Sequence, residues 1–345
     1  MVGYTFLKKY CNFAKGSPNT AVSIAYLIGE LNETAKYVFL YTKAFKLVKD
    51  NDIIPLLSLR RVSMDFDNMI YGMTTIIEAK IGPYQSQGSG FFFNPLGAKD
   101  PTKTEQWREV KGTWLITNRH VALPKINDKE IIPEVFVFNL RQIIDGRVQW
   151  LPIQLDKDEY IKRLRVHCDG LIDVATIEVG DLIIEQIKQG VSLVNYVGLT
   201  SDNLPENSRL GVNVGDDILV IGYPRGFYDI ENKFPIVKAG IVSSKWGNNF
   251  NGKPLFLIDS KLFPGSSGSV VLTKPKHFAM IDGKLMKNEV GEYLFLGVYS
   301  GEPIRSNAPI ELEDMTIIKK DSYNVGNVWY STLVLQIIEN GVQVI

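Results

Sequence analysis

The stretch KLFPGSSGSVV, residues 261–271, places two serines between glycines, after a proline and directly before an apolar run. Glycines leave the backbone open, so that main-chain N–H groups can approach a bound group without an intervening side chain. The apolar residues that follow, Val270 and Val271, are typical of a buried β-strand. Two interpretations follow: a flexible Gly/Ser hairpin turn, or a turn whose N–H groups bind something other than protein.

From about residue 70 onwards, the sequence consists of short β-rich runs separated by turn residues. Eleven stretches are candidate strands: MTTIIEAKI, GSGFFF, TWLITN, EVFVF, VQWLPI, DVATIEV, DDILVIGYP, PIVKAGIVSS, PLFLID, SGSVVL and YLFLGVYS. Asp-Gly or Asn-Gly pairs at 145–146, 251–252 and 282–283 are expected at hairpin tips, where positive φ angles are needed. This spacing predicts an all-β barrel or sandwich rather than a parallel α/β fold. The polar stretch 198–215 is expected to link two groups of strands.

The two ends of the chain are predicted to be helical. Residues 1–62 contain a long proline-free stretch in which apolar residues recur at three- and four-residue intervals, which predicts a helical N-terminal segment. The C-terminal stretch WYSTLVLQIIENG is a helix candidate with Gly341 as its stop. The predicted division of the remaining chain is 63–205 for a first β-unit and 206–345 for a second β-unit with the C-terminal helix.

The composition excludes several functional classes. The chain of 345 residues has 38 Lys and Arg against 38 Asp and Glu, so no net field attracts nucleic acid or an anionic membrane. Its two cysteines, Cys11 and Cys168, form no C-x-x-C pattern, so neither a disulfide framework nor a zinc site is predicted. The most apolar early window, AVSIAYLIGEL, is too short to span a bilayer. We therefore expect a soluble cytoplasmic protein.

Three side chains at the edges of β-runs could form a nucleophilic site. His120 ends TWLITNRH and either projects into a cleft or packs as an ordinary capping histidine. Asp173 lies in the apolar stretch LIDVATIEV, where a carboxylate costs roughly several kcal/mol unless it is paired, and a histidine N–H is a suitable partner. Asp169, in the turn-like HCDG, is the weaker candidate. Ser267 is the candidate nucleophile, which needs an exposed hydroxyl, a base and donors for an oxyanion.

The combination of these segments is more specific than each segment alone. TWLITNRHVA, LIDVATIEV and FPGSSGSVV resemble the three catalytic segments of chymotrypsin-like serine peptidases, closest to the bacterial trypsin-like group that includes the Deg-type proteases. The resemblance spans about residues 70–300 and implies two antiparallel six-stranded β-barrels. It also implies His120 as general base, Asp173 as its orienting acid and Ser267 as nucleophile. The N–H groups of Gly265 and Ser267 would form the oxyanion hole, with neither metal nor organic cofactor.

Some positions depart from the family pattern or bear on specificity. Ser266 stands where the family often has Asp or Asn, and Ser269 replaces the second glycine of G-x-S-G-G. Lys261 stands at the position of the S1 base, which excludes the simplest recognition of Arg or Lys; it either favours an acidic residue or points to solvent. Ser300 resembles the position whose hydroxyl supports the buried aspartate and whose backbone pairs with substrate, and the charge of Glu302 could offset that of Lys261. No PDZ-like domain is expected.

The sequence therefore predicts a serine endopeptidase that hydrolyses peptide bonds through an acyl-enzyme, with a protein or peptide substrate. One alternative is a catalytically silent protease-like module that binds peptides or protein partners. Another is a protease that is active only when a protein partner engages residues 1–60. A nucleotide-binding enzyme is unsupported because the GSG at 88–90 lacks a following helix.

Overall fold

The computed structural model describes residues 66–99, 108–194, 196–281, 284–306, 310–312, 315–317 and 320–344. The predicted helical segment 1–62 and the predicted hairpin tip at 282–283 lie outside the described residues. The described chain falls almost entirely in one compact unit, residues 66–97 and 110–345. Its α-helices are α1 (Phe66–Gly72), α2 (Arg119–Ala122), α3 (Lys157–Arg163), α4 (Gly180–Lys188) and α5 (Thr332–Asn340). None of the described helices is long and apolar enough to cross a membrane.

The first half of this part of the chain is built on one large sheet. Its strands, with four short ones that pair outside the sheet, are β1 (Thr74–Ile81), β2 (Tyr84–Asn94), β3 (Leu96–Lys99), β4 (Arg108–Val110), β5 (Trp114–Thr117), β6 (Lys125–Ile126), β7 (Lys129–Glu130), β8 (Val135–Ile144), β9 (Arg147–Asp156), β10 (Leu164–Val166), β11 (Ala175–Glu178) and β12 (Leu199–Thr200). The sheet runs in the order β10-β11-β5-β2-β1-β8-β9, and β12 adds to β2 as a parallel neighbour.

The second half forms a closed barrel with small hairpins attached. Its strands are β13 (Asp217–Gly222), β14 (Ile236–Val242), β15 (Leu255–Asp259), β16 (Val270–Thr273), β17 (Lys276–Ile281), β18 (Lys284–Glu292), β19 (Phe295–Gly301), β20 (Ile304–Ser306), β21 (Ile310–Leu312), β22 (Met315–Ile317), β23 (Lys320–Ser322) and β24 (Val325–Tyr330). The barrel closes in the order β13-β14-β15-β24-β19-β16. Residues such as Val220, Phe256 and Val271 fill its interior.

Strand β2 lies between the two cores, which explains its unbroken apolar run. Successive side chains of a strand point to opposite faces. Phe92 packs into the core of the first sheet, where its ring contacts that of Phe138. Phe91 and Phe93 point the other way and contact the ring of Phe295 in the barrel. All three phenylalanines of β2 are almost completely buried, so β2 fixes the first sheet against the barrel.

The structure confirms much of the predicted β-pattern. Each of the eleven predicted stretches contains an observed strand. The hairpin tips at 145–146 and 251–252 have positive φ at both residues, with values of 49° and 74° in the first and 51° and 77° in the second. The C-terminal helix is present as α5, and the N–H of Gly341 closes it by donating to the Ile337 carbonyl at 2.8 Å.

Two features of the fold differ from the prediction. Only the second of the two expected six-stranded barrels is closed; the first is an eight-stranded sheet with an open strand order. Within the described residues no hydrogen-bonded pair joins its outer strands β9 and β10, which helix α3 connects along the chain. The predicted linker 198–215 also contains structure, since β12 and 3-10 helices at Ser201–Asn203 and Pro205–Asn207 lie in it.

A buried tyrosine supports the short helix α2. The Tyr160 hydroxyl donates to the Ala122 carbonyl at 2.9 Å, and the Tyr160 ring stacks on Phe136 with centroids 4.4 Å apart. Complete burial raises the pKa of Tyr160 well above its ordinary value, so the hydroxyl keeps its proton at any working pH.

We predict that Tyr160→Phe lowers the free energy of unfolding by about 1–2 kcal/mol, because it keeps the ring contact and leaves the buried Ala122 carbonyl without its donor. Urea denaturation monitored by circular dichroism measures the change. The control is Tyr323→Phe, at a tyrosine that is 57% exposed. Equal stability of the two variants would contradict the role given to Tyr160.

Candidate active site

Helix α2 presents His120 at the end of a buried strand. Asn118, the residue that precedes α2, donates from Nδ2 to the Asp173 carbonyl at 2.7 Å. Arg119 makes two hydrogen bonds to the Glu130 carboxylate, Nε to Oε1 at 2.8 Å and Nη2 to Oε2 at 2.9 Å. Val121 is buried beneath the helix. The residues on both sides of His120 are therefore anchored, although its own ring is partly exposed.

His120 and Asp173 form a close pair. Nδ1 of His120 lies 2.7 Å from Oδ2 of Asp173, and the His120 backbone N–H donates to Oδ1 of the same carboxylate at 2.9 Å. The side chains are 43% and 22% exposed. Because Nδ1 faces a carboxylate, it carries the proton in the neutral ring, and Nε2 is left as an acceptor. The expected partnership between a histidine and a carboxylate next to an apolar strand is present in the structure.

The competing carboxylate, Asp169, has a different role. Its Oδ1 accepts a hydrogen bond from the Leu171 N–H at 2.9 Å, and its own N–H donates to Nδ1 of His167 at 3.0 Å. These contacts are local to one exposed turn. Asp169 therefore stabilises the turn that leads to Asp173 and makes no hydrogen bond to His120.

Ser267 lies on a tight turn before β16. The turn is closed by hydrogen bonds from the Ser266 N–H to the Phe263 carbonyl at 3.1 Å and from the Ser269 N–H to the Ser266 carbonyl at 2.9 Å. Gly268 has a φ of 83°, a conformation that glycine adopts without strain. A Cβ at Gly268 would stand 2.0 Å from the Ser89 carbonyl oxygen. Glycine is required at this position because the turn packs directly on the backbone of β2.

Ser89 joins this turn to the first sheet. The Ser89 N–H donates to the Ser267 carbonyl at 2.9 Å, and the Ser89 hydroxyl donates to the Gly265 carbonyl at 3.0 Å. The same hydroxyl accepts from the Tyr223 N–H at 2.8 Å, and the Ser89 carbonyl accepts from the Thr117 hydroxyl at 2.8 Å. Since Thr117 lies three residues before His120, these bonds bring the serine turn against the segment that carries the histidine.

The backbone of the turn leaves two donors available. Within the described residues, neither the Gly265 N–H nor the Ser267 N–H makes a hydrogen bond, whereas the Ser266 N–H between them does. Two neighbouring amides without acceptors are what an oxyanion hole requires. The Ser267 hydroxyl donates to the Ser300 carbonyl at 3.4 Å, and none of the described hydrogen bonds joins it to His120.

The other residues singled out from the sequence have less specific surroundings. Lys261 is exposed, and in the described part of the chain it makes no ion pair. The Ser300 hydroxyl makes no hydrogen bond to Asp173 among the described residues; its carbonyl is the group that meets Ser267. Glu302 accepts a hydrogen bond from the Ser322 hydroxyl at 2.5 Å. The described residues contain no group of three or more His, Cys, Asp or Glu arranged to hold a metal ion.

Two ionisable groups near the site have shifted pKa values. The hydrogen bond from Arg119 holds the pKa of the Glu130 carboxyl below its ordinary value, so the pair beside His120 stays charged at neutral pH. Burial raises the pKa of Tyr299, next to Ser300, and the nearby negative charge of Glu302 raises it further. The Tyr299 side chain is buried in the barrel core, so its hydroxyl remains neutral at neutral pH.

Sequence reasoning did not identify Ser89, Asn118 or Arg225, although each holds part of the site in place. Ser89 and Asn118 act as described above, and the Arg225 N–H donates to the Pro264 carbonyl at 2.8 Å, directly before Gly265. A serine between glycines in GSGFFF was a usable signal for Ser89. No local sequence pattern indicated Asn118 or Arg225, because their hydrogen-bond partners are distant in sequence.

The chain matches one family of known proteins over the region that carries the site. The family model, the trypsin-like peptidase domain, matches residues 88–277, more than half of the chain and including the segments of His120, Asp173 and Ser267. The chain belongs to this peptidase family. Its substrate is accordingly a peptide or a protein. No curated protein matches the chain.

Several solved structures are similar to this trypsin-like peptidase domain protein at low identity. The active form of the Rv3671c protease from M. tuberculosis is 14% identical, with 88% of this chain and 97% of that chain covered and a TM-score of 0.36. Tobacco etch virus protease complexed with product is 11% identical, with 83% and 86% covered and a TM-score of 0.40. Protease Anisep from Arthrobacter nicotinovorans is 14% identical, with 77% and 93% covered and a TM-score of 0.37.

We predict that Ser89→Ala lowers the free energy of unfolding by about 1–3 kcal/mol, because it leaves the buried Tyr223 N–H and Gly265 carbonyl without partners. Thermal unfolding at several urea concentrations measures the loss. Ser192→Ala is the control, because that serine is exposed and its hydroxyl makes no hydrogen bond within the described residues. A Ser89→Ala variant as stable as the control would show that the hydroxyl does not join the turn to the sheet.

Proposed function

We propose that the protein is a serine endopeptidase in which His120, Asp173 and Ser267 hydrolyse peptide bonds through an acyl-enzyme. The observation that carries the proposal is the His120–Asp173 pair, with Nδ1 to Oδ2 at 2.7 Å, together with a serine turn whose Gly265 and Ser267 N–H groups make no hydrogen bond within the described residues. Membership of the trypsin-like peptidase family supports it. A base, its orienting acid, an alcohol and an oxyanion hole are the parts that acyl transfer needs.

The first half of the proposed reaction forms the acyl-enzyme. The Ser267 oxygen attacks the carbonyl carbon of the scissile bond while its proton passes to Nε2 of His120. The negative charge that develops on the carbonyl oxygen is stabilised by the N–H groups of Gly265 and Ser267. His120 then gives its proton to the leaving amine, the C–N bond breaks, and an ester to Ser267 remains. Asp173 stabilises the imidazolium throughout.

The second half of the proposed reaction consumes water. His120 takes a proton from a water molecule as its oxygen attacks the ester carbon, and the same two N–H groups hold the oxyanion. The proton returns from His120 to the Ser267 oxygen as the ester bond breaks. The products are the two peptide fragments, and every step uses only side chains and backbone of this chain.

A second candidate function is a module that is silent, or silent until a partner binds. It is favoured by one observation: the Ser267 hydroxyl donates to the Ser300 carbonyl at 3.4 Å instead of to His120. For catalysis, a rotation about the Ser267 χ1 bond has to bring the hydroxyl to Nε2 of His120. A silent module would bind peptides in the same groove and leave them intact.

We predict that a fluorophosphonate probe labels Ser267, and that Ser267→Ala abolishes labelling and lowers peptide turnover by about 10⁴- to 10⁶-fold, since the nucleophile is lost. Mass spectrometry of the labelled peptide identifies the site, and cleavage of a casein substrate measures turnover. Ser192→Ala is the control and should match the wild type. Unlabelled wild-type protein that still binds peptides would favour the silent module.

A further inference from the structure

An exposed aromatic ring stands between two cations next to the serine turn. Phe263 is 45% exposed and lies two residues before Gly265. The Arg225 guanidinium carbon lies 5.8 Å from the centre of the Phe263 ring, and Nζ of Lys238 lies 5.6 Å from the same centre. Both distances are within the range of cation–π attraction. The ring therefore holds two positive charges at one place on the surface.

These cations have no carboxylate partner in the described part of the chain. Elsewhere on the surface, basic side chains form ion pairs with acids, as in Arg119–Glu130, Arg163–Asp181 and Lys276–Asp216. For Arg225 and Lys238 no ion pair and no side-chain hydrogen bond is found among the described residues, and the same is true of the exposed Lys261. Like charges held close together repel each other, so an anion bound between them is stabilised.

Arg225 is attached through its backbone to the serine turn. The Arg225 N–H donates to the Pro264 carbonyl at 2.8 Å, and a Cβ on Gly265 would stand 2.5 Å from the Arg225 nitrogen. Arg225 has a φ of 50°, in the left-handed region that arginine rarely adopts. Strain of this kind is retained where the surrounding structure requires it, and it is concentrated at functional sites.

The Arg225 turn also packs against β2, the strand that supplies part of the lining of the groove beside His120. A Cβ on Gly226 would stand 2.6 Å from Oε1 of Gln87, so the turn packs against β2. The neighbouring residues Gln85 and Ser86 line a groove of about 600 Å³ together with His120. In the proposed reaction His120 protonates the leaving amine, so the departing half of the substrate lies on this side of the scissile bond.

We propose that Arg225 and Lys238, with Phe263 between them, form a subsite for an acidic side chain of the substrate on the leaving-group side of the scissile bond. This inference rests on the proposed function, because the direction of the substrate is set by the role of His120. When a carboxylate hydrogen-bonds to the guanidinium of Arg225, it loses part of its bound water, and the Phe263 ring also excludes water from this place. Exclusion of water strengthens the attraction between the carboxylate and the guanidinium.

The test uses matched peptide pairs. Cleavage sites are first located in a library of synthetic peptides by mass spectrometry. For one cleaved peptide, internally quenched versions then carry Asp or the isosteric Asn at each of the three positions after the scissile bond and at the position before it. We expect kcat/KM to be about 5- to 20-fold higher with Asp than with Asn at one position after the bond. Equal rates at all three positions would overturn the inference.

Substitutions test which residues cause the preference for Asp over Asn. In Arg225→Gln combined with Lys238→Met, we expect the ratio of Asp to Asn rates to fall to about 1, since both cations are removed. Because a ratio within one variant is compared, a general loss of activity cancels. Lys245→Met, at another exposed lysine of the barrel without a partner in the described residues, should keep the wild-type ratio. A ratio that survives the double variant but is lost in Lys261→Met would assign the acid to a different subsite and overturn the inference.

A binding measurement separates this inference from the proposed function. Library peptides in matched Asp and Asn forms, carrying a fluorophore and chosen whether or not the wild type cleaves them, are titrated with Ser267→Ala protein and with the same protein that also carries Arg225→Gln and Lys238→Met. The dissociation constants are read from fluorescence anisotropy. If the wild type cleaves no peptide but the Asp forms bind more tightly only when Arg225 and Lys238 are present, the endopeptidase is wrong, while the two cations still form a site for an acidic side chain. If the wild type cleaves, but the Asp and Asn peptides have equal cleavage rates and equal dissociation constants, the subsite is wrong and the endopeptidase stands.

Discussion

The Ser89 hydroxyl joins the serine turn to the first sheet, in which strand β5 leads to His120. It donates to the Gly265 carbonyl and accepts from the Tyr223 N–H, while the N–H and carbonyl of Ser89 bind Ser267 and Thr117. The Ser89 hydroxyl donates its proton to the Gly265 carbonyl, which fixes the peptide group between Gly265 and Ser266. The N–H groups of Gly265 and Ser267, on either side of this carbonyl, make no hydrogen bond within the described residues. Because Ser89 is completely buried, water cannot replace any of these partners.

The candidate site has two parts: the His120–Asp173 pair, which is already formed, and the Ser267 hydroxyl, which has a different partner. The Asp173 carboxylate and the His120 imidazole are already in contact, and the Arg119–Glu130 and Asn118–Asp173 bonds anchor the residues that precede His120. The Ser267 hydroxyl, in contrast, donates to the Ser300 carbonyl at 3.4 Å and makes no hydrogen bond to His120 among the described residues. The proposed reaction therefore requires this hydroxyl to change its partner.

The sequence revealed the parts of the site that break a local rule, and it could not reveal the rest. A carboxylate beside an apolar strand needs a partner, which made Asp173 predictable, and glycines around a serine made the turn predictable. The glycines around Ser89 were a local signal for that residue, but its partners and the position of Arg225 depend on strands distant in sequence, which no local pattern identifies. The open first sheet was not predicted because the family resemblance implied a closed barrel: closure depends on a pairing of β9 with β10, and the described residues contain no such pairing.

The bonds that assemble the site differ greatly in sequence span. His120 and Asp173 are 53 residues apart, but Ser89 and Gly265 are 176 apart. During synthesis the amino-terminal part emerges first, and contacts between remote segments form last. The His120–Asp173 pair can therefore form while the chain is still on the ribosome, before the barrel that positions Ser267 has folded. We expect a nascent chain to remain harmless to its neighbours until the barrel has closed, so that the order of folding itself acts as a safeguard against premature proteolysis.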